Sequence, residues 1–127
     1  NFFTSNFTNL FLGENGTIGI YCEFYAEGKI TIGNNFLIGS NVIIHTAEHG
    51  CKFGLVPFIN QKSFLKNVEI GENVYIGSRC IILPGVNIAD NIIVGAGSVV
   101  TKDLLVSGVY GGSPARLIRS ATEVQVQ

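Results

Sequence analysis

The chain has 127 residues, a formal net charge of −1 and only 13% charged side chains. That length suits one domain. The charge excludes the basic footprint of a nucleic-acid binder, and no apolar run approaches the ~18 residues that would span a bilayer.

The opening segment is rich in phenylalanine (Phe2, Phe3, Phe7, Phe11) but is broken by Thr, Ser and Asn. It lacks the charged start and small-residue cleavage site of a signal peptide. Cys22, Cys51 and Cys80 are odd in number, widely spaced and outside any CxxC pair. Such spacing argues against a disulfide framework or a zinc site, and a reducing, cytoplasmic setting is expected.

A six-residue period then begins. Ile20, Ala26, Ile32, Ile38 and Ile44 mark it, and Ile18, Phe24, Ile30, Phe36 and Val42 precede them by two. A second run holds the period at Ile70, Ile76, Ile82, Ile88, Val94 and Val100, with Val68, Val74, Cys80, Val86, Ile92 and Ser98 two positions earlier. Apolar residues at alternate positions make a short strand with one buried face. Gly33-Asn34-Asn35, Gly71-Glu72-Asn73 and Ala89-Asp90-Asn91 supply the residues that turn the chain at low cost. A strand and a corner in every hexad predict a coil of flat sides, stacked so that the aliphatic column is continuous.

The two runs are out of step. Counting on by sixes from Ile44 lands on Val68 and misses Ile70. A loop over about residues 45–67 is therefore inserted between them. Its Cys51, Phe53, Leu55, Val56, Pro57, Phe58, Ile59 and Phe64 are too apolar for a free tether. Both histidines of the chain, His45 and His49, lie at its start. An imidazole, with an unperturbed pKa of about 6.5, suits proton abstraction from a hydroxyl near neutral pH. Two loop histidines fall short of the three protein ligands of a catalytic zinc site, so no metal is expected.

The hexads, the His-bearing insert and the tail Gly111-Gly112-Ser113-Pro114-Ala115-Arg116-Leu117-Ile118-Arg119 together resemble the hexapeptide-repeat acyltransferases. The segments Ile38-Gly39-Ser40-Asn41-Val42, Val74-Tyr75-Ile76-Gly77-Ser78 and Gly95-Ala96-Gly97-Ser98 through Asp103 carry the likeness most directly to the maltose/galactoside and capsule sugar O-acetyltransferases. The resemblance covers roughly Ile18 to Arg119. It implies an all-β fold, a left-handed parallel β-helix formed by residues 1–127 as a single domain. It implies acetyl-CoA as cosubstrate, a sugar or surface-polysaccharide hydroxyl as acceptor, and a homotrimer. His49 aligns with the family's catalytic base. Ser78, Ala96, Thr101, Lys102, Arg116 and Arg119 align with the acetyl-CoA contacts, and Glu27 with an acidic acceptor contact. The acceptor-binding Asn of the family falls on Gly19, and the helical segment at the start of the sugar enzymes has no match here.

Serine or nucleotide-sugar N-acetyl transfer and a non-catalytic scaffold are the alternatives. Ser78 or a backbone N–H is the expected oxyanion donor. Glu48 is a candidate to orient the imidazole. Cys51, two positions from His49, has no evident basic cluster to activate it as a nucleophile.

Overall fold

The computed structural model describes residues 2–123. Three parallel sheets form the sides of a coil. The first holds strands Phe3–Thr4, Glu23–Tyr25, Ile43–His45, Ile81–Ile82 and Val99–Val100. The second holds Leu10–Leu12, Ile30–Ile32, Val68–Ile70 and Asn87–Ile88. The third holds Thr17–Ile18, Leu37–Ile38, Val74–Ile76, Ile92–Val94 and Gly108–Gly112, and Ala115–Ser120 closes it as an antiparallel edge. The expected parallel β-helix is what the chain forms.

Strands this short cannot stand alone. They persist because each inward side chain packs on its counterpart in the next coil. Ile32, Ile38, Ile44, Ile70, Ile76, Ile82, Ile88, Val94 and Val100 are all buried in one column. Phe24 is the largest fully buried side chain near its base, and Leu104 and Tyr110 extend the core at the other end. The Tyr110 hydroxyl donates to the Val106 carbonyl at 2.7 Å and accepts the Val106 N–H at 3.1 Å, so its polar end is satisfied.

The corners are as periodic as the strands. Between the second and third faces, Asn15, Asn35, Asn73 and Asn91 all take φ of 54–59°. Asn tolerates that left-handed conformation better than other non-glycine residues. Its amide also stacks from coil to coil, Asn15 to Asn35 at 2.7 Å and Asn73 to Asn91 at 2.9 Å. Between the third and first faces the equivalent residues are Tyr21, Asn41, Arg79 and Gly97, again with positive φ. Gly39 at this corner admits no side chain, since an added Cβ would lie 2.6 Å from the Ser78 nitrogen.

One expectation fails in the first run. Ile20 is not inward; it is 50% exposed. The early coils are longer than three hexads, as Phe3 pairs with Glu23, Leu10 with Ile30 and Thr17 with Leu37. The surplus in each is a pair of residues at the corner after the first face. In the second coil that corner is formed around Ala26 and Glu27. Inward positions before it fall on Cys22 and Phe24, and Ala26 is buried as a corner residue rather than as part of a strand. The following coils keep to three hexads, pairing Tyr75 with Ile93 and Ile81 with Val99, and the last is two residues short, pairing Ile93 with Val109.

The same corner absorbs the insert. Ile43 pairs directly with Ile81, so the coil closes on its neighbour as if the inserted segment were not there. Removing a buried rung should be costly where removing its outward neighbour is not. Ile32→Ala is expected to lower stability by about 2–5 kcal/mol in urea unfolding, and Thr31→Ala by under about 0.5 kcal/mol.

Candidate active site

Thr46 is where the chain leaves the coil. It is fully buried, donates its hydroxyl to the Tyr25 carbonyl at 2.6 Å and accepts the Gly28 N–H at 2.8 Å. The returning chain is pinned beside it: Lys66 N–H donates to the Thr46 carbonyl at 2.7 Å, and Asn67 Oδ1 accepts the Lys29 N–H at 2.9 Å. Both ends of the insert are thus tied to a rigid coil, and to the corner segment that carries Glu27. Glu27 is exposed there, its carbonyl held by Asn9 at 2.9 Å.

From this root rises a two-stranded hairpin, Ala47–His49 against Ser63–Leu65. His49 is exposed at its end. Its Nδ1 lies 3.0 Å from the Gly50 carbonyl. An Nδ1–H donating to that oxygen leaves the Nε2 lone pair free, the tautomer a general base needs. Glu48 does not fill the orienting role considered for it; its carboxylate pairs with Lys66 on the returning strand. His45 is held elsewhere, stacked flat on Tyr25 with ring centroids 5.0 Å apart. The Tyr25 hydroxyl in turn donates to Glu23 at 2.8 Å.

His49 lines an open cavity of about 520 Å³ whose walls are largely apolar, with Cys51, Phe53, Leu55, Val56 and Phe64 among them. Phe53 is 93% exposed, its ring meeting only the edge of Phe58 at 5.6 Å among the aromatic rings of the described residues. Cys51 is exposed, whereas Cys22 and Cys80 are buried and donate their thiols to the Gly39 and Gly95 carbonyls at 3.0 and 3.1 Å. Burial pushes both of these thiols up from their ordinary range.

The residues aligned with acetyl-CoA contacts divide into two groups. Ser78 and Ala96 are exposed at the corner between the third and first faces, one coil apart. Ser78 Oγ accepts the Ser40 N–H at 3.1 Å and its carbonyl accepts the Gly97 N–H at 2.9 Å. Arg116 joins them through the terminal hairpin. It pairs with Gly111, and the adjoining Gly112 N–H donates to the buried Ser98 hydroxyl at 3.1 Å. Arg119 lies further along that strand, opposite Val109. Thr101 and Lys102 are exposed at the opposite edge of the first face, the corner from which the His49 loop springs two coils earlier. Thr46, Tyr25 and the loop residue Gln61 carry no periodic signal that could have singled them out. Among the described residues, no group of three His, Cys, Asp or Glu side chains is placed to hold a metal ion.

Repeat and fold define the class of this chain, a hexapeptide-repeat left-handed β-helix protein. Residues 67–102 match the family described as the hexapeptide repeat of succinyl-transferase. The galactoside O-acetyltransferase of Escherichia coli (strain K12) is 36% identical over 116 residues, 91% of this chain and 56% of the relative. A maltose O-acetyltransferase from Clostridium difficile 630 superposes with a TM-score of 0.84 at 38% identity, over 94% of this chain and 63% of that one. A galactoside acetyltransferase in complex with coenzyme A gives 0.87 at 36%, over 94% and 58%. The chain resembles these sugar O-acetyltransferases through nearly its whole length, and spans about half the length of the curated relatives it matches.

The thiol environments make a direct test. An aromatic disulfide reagent is expected to modify one cysteine, Cys51, in the folded protein and all three after denaturation.

Proposed function

We propose that the chain transfers an acetyl group from acetyl-CoA to a sugar hydroxyl, with His49 as general base. The observation that carries this reading is the imidazole at the cavity rim, its Nδ1 occupied by the Gly50 carbonyl. The likeness to galactoside and maltose O-acetyltransferases supports the choice of sugar.

In the proposed reaction an acceptor hydroxyl donates to His49 Nε2. As its oxygen attacks the thioester carbonyl, the proton passes to Nε2 and His49 becomes an imidazolium. The Ser78 hydroxyl, already accepting from Ser40, keeps its own proton available for the oxyanion. Collapse of the tetrahedral species breaks the carbon–sulfur bond. His49 then returns the proton to the leaving thiolate. Lys102, Arg116 and Arg119 supply cations for the phosphates of the nucleotide end. Glu27, at the root of the loop, accepts a bond from a second acceptor hydroxyl in this reading.

A homotrimer completes the site. The first face shows Phe3, Glu23, Ile43, Ile81 and Val99 on its outer side, and the third shows Thr17, Leu37, Tyr75, Ile93 and Val109, whereas the second shows Phe11, Thr31, Glu69 and Asn87. In a closed ring with the first face turned inward, neighbours meet along the two edges of that face. One edge bears the His49 loop and the other bears Ser78 and Ala96. Each interface therefore joins the base of one subunit to the thioester slot of the next. The exposed insert then covers the more apolar third face of its neighbour, and the second face, where Thr31, Glu69 and Asn87 follow Phe11, meets water.

Two outcomes are expected. Thiol release from acetyl-CoA, measured with a panel of sugars, should fall about 10²–10⁴-fold in His49→Ala while coenzyme A binding is retained; unchanged turnover would remove His49 from the reaction. Sedimentation should give three copies of the 13.6 kDa chain, and Ile81→Glu on the inward face should shift the protein to monomers.

A further inference from the structure

Gln61 makes more side-chain bonds than any other residue of the insert. Its Oε1 accepts the Lys52 N–H at 2.9 Å, and its Nε2 donates to the Lys52 carbonyl at 2.8 Å and the Val56 carbonyl at 3.0 Å. One N–H and two carbonyls facing one amide fix which way that amide points. The side chain thereby stands in for a neighbouring strand, satisfying both backbone groups of Lys52 and closing the 52–56 segment into the wall of the His49 cavity. Its own backbone is held as well, since Gln61 N–H donates to the Phe58 carbonyl at 3.0 Å and ends the short Phe58–Asn60 turn.

The other side of Gln61 faces Gly50. The Gly50 N–H donates to the Lys62 carbonyl at 2.9 Å. A Cβ added at Gly50 would lie 2.7 Å from the Gln61 Cβ and 2.9 Å from the Lys62 oxygen. Gly50 is thus pressed against Gln61 and Lys62 in the orientation that offers its carbonyl to His49 Nδ1.

We infer that Gln61 is a positioning residue for the site: its amide pins Lys52 and Val56, which together with the Gly50–Lys62 bond fixes the turn that offers the Gly50 carbonyl to His49 Nδ1, and it shapes the wall against which the acceptor binds. This rests on the proposed role of His49, and the test separates the two. The whole protein is compared with Gln61→Ala and Gln61→Glu by nitrogen-15 NMR of the His49 ring, hydrogen exchange at the Lys52 amide, and steady-state kinetics.

Wild type should hold His49 chiefly as the Nδ1–H form and protect the Lys52 amide. Both variants should shift the ring toward the Nε2–H form that a free histidine side chain prefers, and Gln61→Ala, which also removes the acceptor for the Lys52 N–H, should lose that protection at least tenfold. The core should melt as before, because the insert lies outside the coils. Acceptor KM should rise about tenfold, with acetyl-CoA KM unchanged. An unchanged tautomer in both variants would overturn the inference, whether or not any acceptor turns over. A shifted tautomer in a protein whose His49→Ala form still transfers acetyl groups would uphold Gln61 as the positioner and refute His49 as the base.

Discussion

Register between parallel coils governs everything else in this molecule. A strand this short has its N–H and C=O groups satisfied only by the coils above and below, so each coil must close on the same lattice. Surplus chain has no place within a face and must leave at a corner. One corner takes all of it here, a pair of residues in each early coil and the whole insert between Thr46 and Asn67. The loop that carries His49 is a consequence of that constraint, and so is its rigidity at the root, where Thr46 and Asn67 lock both exits to neighbouring coils.

The aliphatic column supplies the stability that such short strands lack. Burial of apolar side chains is nondirectional, but here it is partitioned by rung, so each Ile or Val packs chiefly on the equivalent side chain one coil away. The corners add direction. The Asn ladder and the Ser40–Ser78 bond tie one coil to the next through side chains as well as through backbone. Ser78 therefore serves the fold and the proposed chemistry with one oxygen, accepting a bond from Ser40 while its own proton stays free for the thioester.

The second run, Val68 to Val100, is fully legible in the sequence, because its coils keep the six-residue period without interruption. The first run misleads at Ile20 and Ala26. Both are apolar and fall on the period counted back from Ile32, yet the surplus pair at the Ala26–Glu27 corner shifts the true inward positions to Cys22 and Phe24. Apolarity alone cannot report such a shift when the shifted frame is also apolar. His49 and the stacked Ser78 and Ala96 can be read from spacing and likeness. The Glu48–Lys66 pair, the Tyr25–His45 stack and the Gln61 bonds cannot, since contacts across a hairpin or between unequal coils follow no period.

In the proposed trimer a base at one edge of the first face meets a thioester slot at the other edge of the next chain. Mixed-subunit complementation tests this most directly. His49→Ala removes the base, and Ala96→Trp blocks the slot; each should be inactive alone. Unfolded together in equal amounts and refolded, they should regain about a quarter of wild-type activity, from interfaces where both intact edges meet. Mixtures as inactive as the separate variants would contradict a site built between subunits.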